Sequence, residues 1–283
     1  MTMNLVLQGP NATPGQLKRI GALAMPKRVI VLNERAVRCE SIDDSPSLRQ
    51  TIDVAANGAH LDATFIATGR SLADFRLVAM DMDSTLITIE CIDEIADMQG
   101  LKPQVSEITE AAMRGELDFS ESLIRRVALL KGLDANALQR VYDERLAISM
   151  GGEAMLKGVQ AAGLKTLLVS GGFTFFTERL QARLGLDFAH ANVLEVDGGK
   201  LTGRVVGGIV DATEKQRTVE RVCAELDVPA SMAVVMGDGA NDLKMMGIAG
   251  LSVAFRAKPV VRSQASVALN YTGLDGLLNV LAS

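Results

Sequence analysis

The chain has 283 residues, 48% hydrophobic and 22% charged, with a net charge of −5 and only three cysteines. Its length fits two domains or one large one, and its composition fits a globular protein that can bury a core. The mild acidity argues against nucleic acid or an anionic membrane as partner, and no stretch is long and apolar enough to span a bilayer. The N-terminal segment lacks a signal-peptide pattern, and Cys39, Cys91 and Cys223 form no CxxC pair, so a reduced, cytoplasmic setting is expected.

In chain order, residues 3–9 predict a strand and 14–24 a helix, with Thr13 as its cap and Pro14 in its first turn. Residues 28–33 and 36–42 read as a hairpin, 45–58 as a helix and 60–67 as a strand. That order, βαββαβ, is the split βαβ pattern. Residues 68–75 read as a linker. Residues 76–83 form an apolar strand ending in carboxylates, and 91–148 are mostly helical, with breaks near Gly100, Gly115 and Gly132. From residue 152 helix and strand alternate to residue 255, interrupted by a hairpin over 193–208. Such alternation predicts an α/β fold with a parallel sheet and helices on both faces, and ligands in such folds bind at the carboxyl ends of the strands.

Polar clusters fall at those ends. Asp81 and Asp83, two apart in extended backbone, point the same way and converge on one site. Adjacent carboxylates repel unless a cation or a proton sits between them, and that tension can separate a nucleophile from a proton donor. A strand-end turn would also favour Asp, Ser and Thr. Ser170-Gly171-Gly172 offers a hydroxyl and backbone N–H groups for phosphate oxygens, although a tight strand-to-helix turn would need glycine anyway. Lys215 is a compact charge suited to phosphate. Asp238 ends a further strand, and hard oxygen ligands without convergent His or Cys suit Mg²⁺. Asn241 there would also serve as a helix cap.

The segments DMDST, LVSGG, Lys215 and GDGANDL, in this order over residues 76–283, resemble the four motifs of the haloacid-dehalogenase-like superfamily. DMDSTLI, Glu90, MRGELDFSESLIRRV, LVSGGF and GDGANDLKM are similar to segments of its phosphoserine-hydrolysing branch. The resemblance implies a Rossmann-like sheet with an inserted helical cap at about 91–148. It implies Asp81 as nucleophile, Asp83 as general acid and base, and Mg²⁺ held by Asp81, the Asp83 carbonyl and Asp238. Ser170, Gly171 and Lys215 would hold phosphate, with Asn241 and Asp242 in support. Glu90 would meet the substrate ammonium and Arg126 its carboxylate, with Met113 and Phe119 screening water. Another small phosphomonoester, such as phosphothreonine or a phosphorylated homoserine, is the alternative substrate, for a phosphatase or a phosphotransferase. Residues 1–70 resemble a small amino-acid-binding regulatory (ACT) domain, which implies a regulatory or dimer-forming unit; the rest, 71–283, would be the catalytic domain.

Overall fold

The structure is a computed structural model and describes residues 2–113 and 116–282, with only the backbone of Met113. The N-terminal elements follow the predicted order: β1 (Met3–Gln8), α1 (Pro14–Ala22), β2 (Arg28–Asn33), β3 (Ala36–Ile42), α2 (Pro46–Gly58) and β4 (Asp62–Ala67). Their sheet runs β2-β3-β1-β4, antiparallel throughout. Thr13 accepts the Gln16 N–H at 3.3 Å while the Gln16 side chain accepts the Thr13 N–H at 3.0 Å, a reciprocal cap that fixes the start of α1. Leu5, Leu7, Val37 and Cys39 pack under Leu17, Ile20, Ile52 and Ala56, a core separate from the main one.

The second sheet has seven strands. After a short 3-10 turn (Leu72–Asp74) come β5 (Leu77–Met80) and the helices α3 (Cys91–Asp97), α4 (Lys102–Met113), α5 (Phe119–Leu129) and α6 (Asn136–Glu144). Then follow α7 (Gly152–Ala161), β6 (Lys165–Phe173), α8 (Thr174–Leu184), β7 (Phe188–Asp197), β8 (Lys200–Val206) and α9 (Ala212–Glu225). β9 (Ala233–Gly237), α10 (Leu243–Gly247), β10 (Leu251–Phe255), α11 (Pro259–Arg262), β11 (Val267–Leu269) and α12 (Gly276–Val280) complete the chain. The order is β11-β10-β9-β5-β6-β7-β8, parallel except for β8. All four residues of β5 are buried: Val78 and Met80 face one core, Leu77 and Ala79 the other. The chain leaves β5 toward β6 on one side and returns to β9 on the other, so the loops after β5 and β9 diverge and open a crevice.

Helices α3–α6 stand on a two-stranded neck, where Ile87 bridges Ile148 and the Thr88 N–H donates to the Ala147 carbonyl at 3.0 Å. The β7–β8 hairpin meets the α5–α6 loop through three backbone bonds: Gly132 N to Leu201 O, Leu201 N to Leu133 O, and Ala135 N to Gly199 O, at 2.8, 2.8 and 2.9 Å. The N-terminal sheet is tied to the far end of the chain. Buried Asp62 accepts the backbone N–H groups of Asn270, Tyr271 and Thr272, and Gln8 donates to the Gly276 carbonyl. No helix among the described residues is long and apolar enough to cross a membrane.

Candidate active site

β5 stops one residue before Asp81. The chain then makes a single wide turn over Met82–Leu86, closed by Leu86 N–H to Asp81 O at 3.3 Å and Ile87 N–H to Met82 O at 3.0 Å. Extended alternation is therefore not what brings Asp81 and Asp83 together. The turn does so, with Ser84 in the left-handed region at φ 54°. Asp81 is buried, and its Oδ1 receives the Met82 N–H at 2.7 Å and Lys215 Nζ at 2.8 Å. The carboxylate of Asp83 receives the Cys91 N–H at 2.9 Å and the Ser170 hydroxyl at 3.3 Å. Burial pushes both acids above the usual carboxylate range; Asp242 adds to the effect on Asp81, and the Cys91 hydrogen bonds oppose it on Asp83.

Ser170, Gly171 and Gly172 belong to the end of β6 rather than to a strand-to-helix turn, and neither glycine has a positive φ. Space is what demands glycine here. A Cβ on Gly171 would lie 2.7 Å from Phe119 Cζ, and one on Gly172 would lie 2.6 Å from Asp83 Oδ2. Ser170 Oγ also accepts the Gly172 N–H at 2.8 Å. Lys215, fully buried on α9, reaches Asp81 and Asp242 at 2.8 Å each. Burial disfavours its charge, but those two carboxylates outweigh burial and raise its pKa.

Asp238 follows β9 and accepts the Thr85 hydroxyl at 3.0 Å; burial, then Asp242, pushes its pKa up to about 6. Carboxylate oxygens of Asp81, Asp238 and Asp242 all lie within 4.8 Å of one another. Asp242 is already committed, to Lys215 through Oδ1 and to the Gly239 N–H at 3.1 Å through Oδ2. Asp242, and not Asn241, thus caps this turn, because its carboxylate faces the backbone while Asn241 lines the cleft. Three converging carboxylates against one ammonium leave surplus negative charge, and repulsion from Asp242 adds to burial in raising Asp81 and Asp238. The oxygen-only donor set fits a hard divalent cation, which would relieve that charge.

Asp81, Asp83, Gly171, Gly172 and Asp238 form the floor of a cleft of ≈ 710 Å³ whose other wall comes from α3–α5. Glu90, Phe119 and Arg126 line it, as expected from the sequence; the side chain of Met113 lies outside the described residues. Glu90 accepts the Ser84 hydroxyl at 2.7 Å and is pushed up to about 7 by burial and then by Asp83. Arg126 is half-buried, and burial lowers its pKa against the opposing pull of Asp93 and Glu90. Sequence reasoning missed Asp93, one turn beyond Glu90, and Lys258, both on the cleft wall. The i, i+3 spacing of Glu90 and Asp93 was the available signal for the first; Lys258 had none.

The model of the haloacid dehalogenase-like hydrolase family matches residues 78–247. A phosphoserine phosphatase from Polaromonas sp. is 54% identical over 215 residues, 74% of this chain and 91% of that protein. The crystal structure of a probable phosphoserine phosphatase from Vibrio cholerae, in its unliganded form, superposes with a TM-score of 0.84. It is 36% identical and covers 99% of this chain and 86% of its own. A substrate-bound phosphoserine phosphatase complex, also 36% identical, has a TM-score of 0.69 over 73% of this chain and 98% of its own. With the family match spanning more than half its length, and with acids at the ends of adjacent parallel strands, the chain belongs to the haloacid dehalogenase-like hydrolases.

Proposed function

We propose that the chain hydrolyses O-phospho-L-serine to L-serine and phosphate through an aspartyl-phosphate on Asp81, the last step of serine synthesis. One observation carries the reading: a cleft with paired acids on its floor, one of them bonded from beneath by buried Lys215, presents Glu90 and Arg126 on its walls. That pair matches the ammonium and carboxylate of an amino acid, and the phosphoserine phosphatases named above support the match.

In the first transfer a carboxylate oxygen of Asp81 attacks phosphorus, the bond from phosphorus to the serine oxygen breaks, and Asp83 gives that oxygen a proton. In the second, Asp83 takes a proton from water, the water oxygen attacks phosphorus, and the bond to Asp81 breaks. Lys215 and the Ser170–Gly171 segment hold phosphate oxygens while charge spreads over them. Asp83 suits the acid role because burial keeps it protonated to higher pH than a free carboxyl. Magnesium, held by Asp81, Asp238 and the Asp83 carbonyl, would neutralise the charge between Asp81 and the phosphate. Asn241 and Asp242 hold this arrangement, and Phe119 screens the cleft from water.

A panel of phosphomonoesters tests the assignment. Turnover of phosphoserine should exceed that of phosphothreonine, phosphorylated homoserine and simple alkyl phosphates; a higher kcat/KM for any of these would overturn it. Glu90 adds a pH signature. Its carboxyl gains a proton as pH falls through about 7, so attraction for the ammonium is lost on the acid side. The KM for phosphoserine is expected to rise below pH 7 by up to about tenfold per unit. The KM for ethyl phosphate, which has no ammonium, should lack this limb, and Glu90→Gln should flatten it; parallel profiles for both esters would exclude the ammonium role.

We further propose that residues 1–70 are a separate regulatory and dimer-forming domain, residues 71–283 the phosphatase domain, and α3–α6 its cap. The N-terminal sheet has its own core, and β2 is an open edge. Val31 and Val29 are 71% and 51% exposed on β2. Sedimentation should show a dimer that Val31→Asp converts to monomer. A monomeric parent at micromolar concentration would refute the dimer.

A further inference from the structure

The pairing of β6 with β7 breaks where the proposed phosphate-holding segment lies. Val169 pairs with His190, but the next partners are Phe173 and Asn192, so three residues on β6 oppose one on β7. Residues 170–172 therefore bulge out of the ladder, as strands often do beside active sites. The side chain of Asn192 fills the gap. It is 1% exposed, its Nδ2 donates to the Gly171 carbonyl at 2.7 Å, and its Oδ1 accepts the Val210 N–H at 2.8 Å.

Val210 precedes Asp211, the cap of α9, whose carboxylate accepts the N–H groups of Thr213 and Glu214; the Lys215 N–H donates to the Asp211 carbonyl at 2.9 Å. One buried carboxamide thus spans the glycine segment and the start of the lysine helix. Only a side chain with a donor at one end and an acceptor at the other makes both bonds.

We propose that Asn192 is a positioning residue for phosphoryl transfer, setting the distance between Gly171 and Lys215. This rests on the phosphatase reading above. Asn192→Asp keeps the shape and the acceptor for Val210 but turns an oxygen toward the Gly171 carbonyl. Displacement of a reacting group by about 1 Å can cost on the order of 10²-fold in rate. A loss of about that size is expected in kcat for phosphoserine and for an aryl phosphate alike, since every phosphomonoester uses the same cradle.

Calorimetry of inorganic phosphate with the full chain and Mg²⁺ gives a readout independent of turnover, and phosphate should bind roughly tenfold more weakly. The loss from Asn192→Asp should shrink as pH falls, because a protonated carboxyl again donates to Gly171; Asn192→Ala should show no such recovery. Where Asn192→Asp fails to fold, Asn192→Ser, with phosphate affinity read per folded molecule, takes its place. Unchanged phosphate affinity in the folded variants, or a loss confined to phosphoserine, would overturn the proposal. A parent that binds phosphate but turns over no ester would instead overturn the phosphatase reading.

Discussion

Asp81→Asn is expected to lower kcat on phosphoserine by at least about 10⁴-fold and to abolish any trapped phospho-enzyme. The amide keeps the size of the side chain and an oxygen for Met82 N–H and Lys215, so only charge and nucleophilicity go. Stability should move the other way from activity. Burial and Asp242 make ionised Asp81 unfavourable in the folded state, so above the ordinary carboxylate pKa its charge opposes folding. In metal-free buffer the melting temperature of Asp81→Asn should therefore not fall. Adding Mg²⁺ should raise the Tm of the parent more than that of the variant, because a ligand that binds only the folded state stabilises it. Phospho-enzyme or appreciable turnover in a clean preparation of Asp81→Asn would remove Asp81 from the nucleophile role.

Arg126→Ala should separate substrate recognition from chemistry. Truncating one partner of a buried charge pair costs about 2–5 kcal/mol, so kcat/KM for phosphoserine should fall by roughly 30- to 4,000-fold. An aryl phosphate has no carboxylate for Arg126 and should lose no more than about threefold. The guanidinium is partly held in place before any ligand arrives, by the Ser122 carbonyl at 3.4 Å. Arg126→Lys keeps a charge but not the planar fork and should fall between the two. Equal losses on both substrates would make Arg126 a structural residue of α5.

The strand-end acids were legible because their chemistry is local: Asp81 and Asp83 sit together in the sequence, and apolar β5 announces itself. The N-terminal order was legible from Thr13-Pro14, the hairpin and strict alternation. Glu90 and Arg126 were reached by resemblance alone, since a charge on a helix has no pattern to mark it. The reason for Gly171 and Gly172 lay in Phe119 and Asp83, which no local reading brings near them. Asn192 was hidden for the same cause, with partners 21 and 18 residues away across a broken ladder. The elements α11, β11 and α12 are only five residues long or less, too short to show a period. Residues 241–250, which read as one helix, hold the end of a 3-10 turn and the short α10, because Asp242 turns inward to Lys215.

Backbone bonds fasten the helices α3–α6 at two places, the neck at Ile87 and Ile148 and the bonds between 132–135 and 199–201, with side-chain bonds from Arg179 to Gln139 and from Cys91 N–H to Asp83 beside them. Two backbone pins define a line, and rotation about that line is the motion that breaks neither. Among the described residues α4 packs chiefly on α3 and α5, and Thr109 and Ala112 on it border the cleft. Such rotation would move α4 against the cleft while the pinned ends stay still. Entry to the cleft becomes a matter of angle along one coordinate, and amide exchange should stay slow at both pins whatever that angle is.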